Sequence, residues 1–92
     1  MDNSTGQRRP TISPTVEFRV LDDLSSVVVD SESGQAHALT PVGTAIFERC
    51  DGEMSVDQIV SELTEIFECT ADQARTDVSD FLNDLESKGL IR

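Results

Sequence analysis

Ninety-two residues give room for one domain, because a chain of this size buries only about 60 to 65% of its unfolded surface and cannot divide that between two cores. Eighteen acidic against seven basic residues leave a formal charge of −11, a field that repels phosphate backbones and anionic membranes and favours basic partners. There is no run of about 18 apolar residues and no basic-then-apolar start, so neither a membrane span nor a signal peptide is expected, and the chain is read as cytoplasmic.

Met1 to Thr15 carry Arg8, Arg9, Pro10 and Pro14 among small polar residues, a composition read as a disordered arm, which leaves residues 16–92 as the folded domain. Val16, Phe18 and Val20 alternate with Glu17 and Arg19 at the period of a half-buried strand. A second strand is expected from Leu24 to Val29. Turn-forming residues fill Asp30 to Gly34, and a third strand follows over Gln35 to Leu39. The period then changes. Thr40 before Pro41 is an N-cap hydroxyl ahead of a proline at the first helical position, and this helix runs to about Cys50.

Asp51 and Gly52 end that helix, and Ser55 with Gln58 opens the next as a capping box. Val56, Ile59, Val60, Leu63, Ile66 and Phe67 form its apolar stripe, opposite Asp57, Glu62, Glu65 and Glu68. Thr70 and Gln73 predict a second capping box, followed by Ala74, Val78, Phe81, Leu82 and Leu85 on one side of a third helix that closes at Lys88 and Gly89. The pattern is α+β: a three-stranded antiparallel sheet followed by three helices, the arrangement of a winged helix-turn-helix.

Catalysis has little to work with. The one histidine, His37, falls in a strand, and no Ser or Cys has a base placed near it. Two cysteines, Cys50 and Cys69, are too few for a disulfide framework and lack the companions of a zinc site, so no metal or other cofactor is implied. An acyl-carrier reading needs a serine after Asp or Gly at a helix start, whereas Ser55 follows Glu53 and Met54 and serves as a cap. A winged DNA-binding domain has the same elements, yet between Asp51 and Glu86 there are eleven carboxylates and one cation, Arg75, the reverse of what phosphate contact requires.

From Gly34 to Leu90, about three fifths of the chain, the sequence resembles the PqqD-like peptide chaperones, a group of precursor-peptide recognition elements that includes leader-binding proteins of lasso-peptide pathways. The residues that carry the likeness are Gly34, Leu39 with Thr40, Gly43, Ile46 with Phe47, Cys50-Asp51-Gly52, Val56, Ile59 with Val60, Asp77 with Val78, Phe81 with Leu82, Leu85, and Gly89-Leu90-Ile91. Where the family often has Leu-Asn, this chain has Leu39-Thr40, which still caps a helix.

The resemblance implies a non-enzymatic binding protein. Its leader peptide would lie between the third strand and the third helix, adding to the open strand edge and gaining main-chain hydrogen bonds. The implied contacts are Gln35, Ala36, His37, Ala38 and Leu39 on the strand and Arg75, Val78, Ser79 and Leu82 on the helix. Ala36 and Ala38 would leave space for a partner's side chains, or simply permit close packing; Arg75 would meet an acidic leader residue, or pair locally with Asp72 or Ser79. The implied partners are a ribosomally made precursor peptide and an enzyme that modifies it, whether a radical-SAM protein, a protease or a cyclase. Two other readings stand beside this one: a winged-helix regulator acting through protein or nucleic-acid contacts, and a homodimer formed through the same open edge.

Overall fold

The computed structural model describes residues 8–91 of the chain. Three strands, β1 (Val16–Val20), β2 (Ser26–Asp30) and β3 (Ala36–Leu39), are followed by three helices, α1 (Pro41–Glu48), α2 (Val56–Phe67) and α3 (Ala71–Ser87). The sheet is antiparallel in the order β1-β2-β3, with Phe18 opposite Val28 and Val28 opposite His37, so β3 is an edge strand. This is the α+β architecture expected from the sequence.

Period-two alternation gives the sheet one face for the core. Val28 and Leu39 are buried there, and the Phe18 ring meets that of Phe47 on α1 at 4.9 Å between centroids, tilted by 54°. Two hydroxyls enter the same interior, and Ser26 and Thr44 satisfy each other at 2.7 Å, as buried polar groups must. Val56, Ile59, Val60 and Leu63 of α2 and Ala74, Val78, Leu82 and Leu85 of α3 complete the core. Cys50 is buried among them, and desolvation pushes its thiol up to about 12, so it remains a protonated packing group.

The caps explain where the helices start. Thr40 accepts from the Gly43 amide, and Ser55 and Gln58 exchange side-chain and backbone bonds as a complete capping box. Thr70 accepts from the Gln73 amide, but the Gln73 side chain donates instead to Asp77 at 3.0 Å, so only half of the expected second box forms. Asp51 caps the α1–α2 connection by accepting the amides of Glu53 and Met54, which hold its carboxyl below the usual carboxylate range.

Three further features differ from the sequence reading. First, β2 begins at Ser26 rather than Leu24. Leu21 donates to the Ser25 carbonyl and accepts from Leu24, closing a three-residue hairpin loop whose last position is left-handed; Leu24 occupies it at φ 70°. That position suits glycine, because an L side chain there costs about 1–2 kcal/mol. Leu24→Gly is therefore expected to raise stability by about 0.5–1 kcal/mol once the looser unfolded chain is allowed for, a change readable as a shift of the urea midpoint. A lowered midpoint would show that the Leu24 side chain supports the fold.

Second, the apolar stripe of α2 outruns the core: Ile66 is 49% and Phe67 36% exposed. Third, the expected arm splits. Met1 to Gln7 lie outside the described residues, but residues 8–15 lie against the domain. Pro10 is buried and its carbonyl accepts from the Gly52 amide; Ile12 donates to Cys50 and Ser13 to Leu90, while Arg8 pairs with Glu86 at 3.0 Å. The segment runs so close to Gly52 that a β-carbon there would lie 2.9 Å from the Thr11 hydroxyl. Composition reported on its side chains, whereas the α1–α2 loop and the chain end offer it backbone partners.

A groove between the third strand and the third helix

The ladder fixes which edge of β3 is available. The Asp30 amide donates to the Gln35 carbonyl, and hydrogen-bonded and non-bonded pairs alternate, so the pairs Val28–His37 and Ser26–Leu39 are the bonded ones. Ala36 and Ala38 consequently direct their N–H and C=O groups away from β2, towards the uncovered edge. Their side chains lie on the outer face of the sheet with Val27 and Val29, while His37 and Leu39 lie on the face towards the helices.

Beside that edge runs a groove of about 440 Å³, walled on one side by β3 and on the other by Phe81, Asp84 and Leu85 of α3 and its C-cap Lys88, with Leu90 beneath. Phe81 is held close to α1 because position 43 is glycine; a β-carbon there would lie 2.9 Å from the ring. Lys88 pairs with Asp84 at 2.8 Å along one flank, so the wall carries an apolar centre and one neutralised charge pair. Such a slot, an open backbone ladder beside a mostly apolar helix face, accommodates an extended peptide.

The expected site residues divide. Ala36, His37, Ala38 and Leu39 all line the groove, His37 half-buried and Leu39 mostly buried. Gln35 stands just before β3, its amide donating to the Ser33 hydroxyl and its carbonyl accepting from Asp30. The helix side requires correction. Val78 is 0% and Leu82 2% exposed, both committed to the core, and Arg75 bonds Asp57 of α2 at 2.8 Å rather than Asp72 or Ser79. At helical spacing Arg75 and half-buried Ser79 lie on the flank of α3 away from the groove.

Beyond the expected residues the groove is lined by Asp84, Lys88 and Leu90, together with Thr40, read as a cap, and Phe81 and Leu85, read only as core. Their signal was present as a second stripe, Asp77, Phe81, Asp84 and Lys88, one position off the core stripe and mixed in polarity. Among the described residues no group of three or more His, Cys, Asp or Glu is placed to hold a metal, and no helix is long and apolar enough to cross a membrane.

Residues 25–91 match the family model described as coenzyme PQQ synthesis protein D (PqqD). No curated protein matches the sequence significantly. Among solved structures, TbiB1 in complex with the TbiA(beta) leader peptide aligns at TM-score 0.81 and 24% identity, covering 89% of this chain and 94% of that one. Lasso peptide synthetase B1 complexed with the leader peptide aligns at TM-score 0.81 and 20% identity, over 92% of this chain and 99% of that one. The PqqD truncation of Methylobacterium extorquens PqqCD, described as a functional and stand-alone RiPP recognition element, aligns at TM-score 0.78 and 20% identity, over 95% and 92%.

Proposed function

The chain belongs to the PqqD family, and on that premise we propose that it captures the leader of a ribosomally synthesised precursor peptide as a fourth strand on β3 and presents the peptide to a modifying enzyme. The observation that carries the reading is the free edge at Ala36 and Ala38 beside the Phe81 wall. Main-chain hydrogen bonds to that edge give affinity, and leader side chains that turn towards the helices meet His37, Leu39 and Phe81. Two proteins that share this fold are themselves complexed with leader peptides. The chain acts as a cytoplasmic binding domain and leaves the chemistry to its partner, a radical-SAM protein, protease or cyclase. Nothing in the fold or the comparisons favours the regulator reading.

Calorimetry with a synthetic leader peptide is expected to show binding, with slowed hydrogen exchange at the Ala36 and Ala38 amides. A duplex DNA gel shift is expected to show nothing even near about 50 mM salt, where phosphate contacts are strongest. Tight, salt-dependent DNA binding without leader binding would overturn the proposal. Sedimentation with and without leader tests the homodimer: a second copy on the β3 edge would dissociate as leader is added.

A further inference from the structure

Every exposed large apolar side chain among the described residues, namely Val20, Leu21, Leu24, Ile66 and Phe67, comes from the β1–β2 hairpin end or the C-terminal end of α2. Val20, Leu24, Ile66 and Phe67 line one hollow of about 210 Å³ floored by α1, which shares no residue with the β3–α3 groove. Leu24 is the most exposed of them, at 68%, and it holds the left-handed loop position that glycine would fill without strain. The loop is braced to keep it there, with the Ser25 amide and hydroxyl both donating to Asp23. A strained, exposed leucine over an apolar hollow contributes nothing evident to the fold, and clustered apolar exposure of this kind marks an interaction surface.

Charge decides what covers it. Glu48 lines the hollow and Asp22, Asp23, Glu65 and Glu68 stand beside its lining residues in the chain, against two cations: Arg49 on the lining, already bonded to Glu62 at 2.7 Å, and Arg19, next to Val20 on β1. A second copy would bring the same five carboxylates against these in a two-fold contact, on top of a net charge of −11 on each chain. We propose that this hollow is a second docking surface, and that its occupant is a partner protein presenting an apolar side-chain cluster ringed by lysine or arginine. Since the two surfaces share no residue, the domain can hold a peptide at β3 and a protein at the hairpin end together. The inference stands on the patch itself and does not require the leader reading.

The test uses two synthetic amphipathic helices as probes, one of Leu and Lys and one of Leu and Glu in the same order, titrated into the isotope-labelled full chain. Binding of the Leu/Lys helix is expected to shift amide resonances around Val20, Leu24, Ile66 and Phe67, to weaken with added salt, and to fall at least about tenfold in Leu24→Gly and Ile66→Ser. The Leu/Glu helix is expected not to bind. Leu24→Gly relieves the loop, so its loss of binding cannot be ascribed to unfolding, and leader affinity, measured separately, stays unchanged if β3 takes the leader. Three results would each overturn the proposal: shifts confined to the β3–α3 groove, equal binding of the Leu/Glu helix, or self-association of the free chain that Leu24→Gly abolishes.

Discussion

Ala38→Pro is expected to weaken leader capture roughly thirtyfold or more while leaving the domain folded. The Ala38 amide faces the uncovered edge of β3, so proline there removes no bond of the β2–β3 ladder, and edge strands tolerate proline where the missing N–H faces outward. The incoming leader loses a backbone donor and meets the pyrrolidine ring where its own carbonyl would approach. Loss of a bond and the added clash together cost about 2 kcal/mol or more, which is a fall of roughly thirtyfold in affinity. His37→Pro is the contrasting variant: that amide points to Val28, so the change removes a ladder bond and lowers the melting temperature instead. Glu65→Gln, on the exposed side of α2, serves as the control for both. Normal leader binding by a folded Ala38→Pro chain would remove β3 as the capture edge.

Leu82→Asp is expected to unfold the domain rather than to obstruct the groove. Leu82 is 2% exposed between α3 and the core, so the substitution deletes a buried apolar side chain, at about 2–5 kcal/mol, and adds a carboxylate with no partner. Against a total stability of about 5–12 kcal/mol for a domain of this size, the folded population becomes minor. Circular dichroism at 25 °C, read beside a urea titration, is expected to show lost helix signal and no cooperative transition. The groove is blocked from a different residue: Asp84→Trp places a bulky ring on the exposed wall of α3 and is expected to keep a cooperative melt while reducing leader affinity about tenfold. A folded Leu82→Asp chain with intact packing would mean that α3 is rotated relative to the arrangement described.

Element order, helix starts and most of the core were legible in the sequence because they rest on local chemistry. The threonine and serine caps at Thr40, Ser55 and Thr70 and the alternation of Val16, Phe18 and Val20 act over a few residues and leave their mark in the pattern. The edge position of β3 entered through the family resemblance. Which side of α3 meets the groove was decided by tertiary packing, since Val78 and Leu82 satisfy an apolar stripe equally well whether it faces the core or a ligand. Only the seating of α3 against α2 assigns them to the core and turns Phe81, Asp84 and Lys88 outward.

Residues 8–15 and Leu24 follow the same rule. The first are held by carbonyls and amides far along the chain, at Cys50, Gly52, Val56 and Leu90, which side-chain composition does not record. Leu24 looks like the start of a β-rich run until the hairpin closes at Leu21 and Ser25 and forces it into a left-handed turn. Local hydrogen bonding and periodicity are properties of neighbouring residues, so the sequence by itself determined the elements. The faces those elements bury depend on contacts between distant residues, and that choice belonged to the tertiary structure.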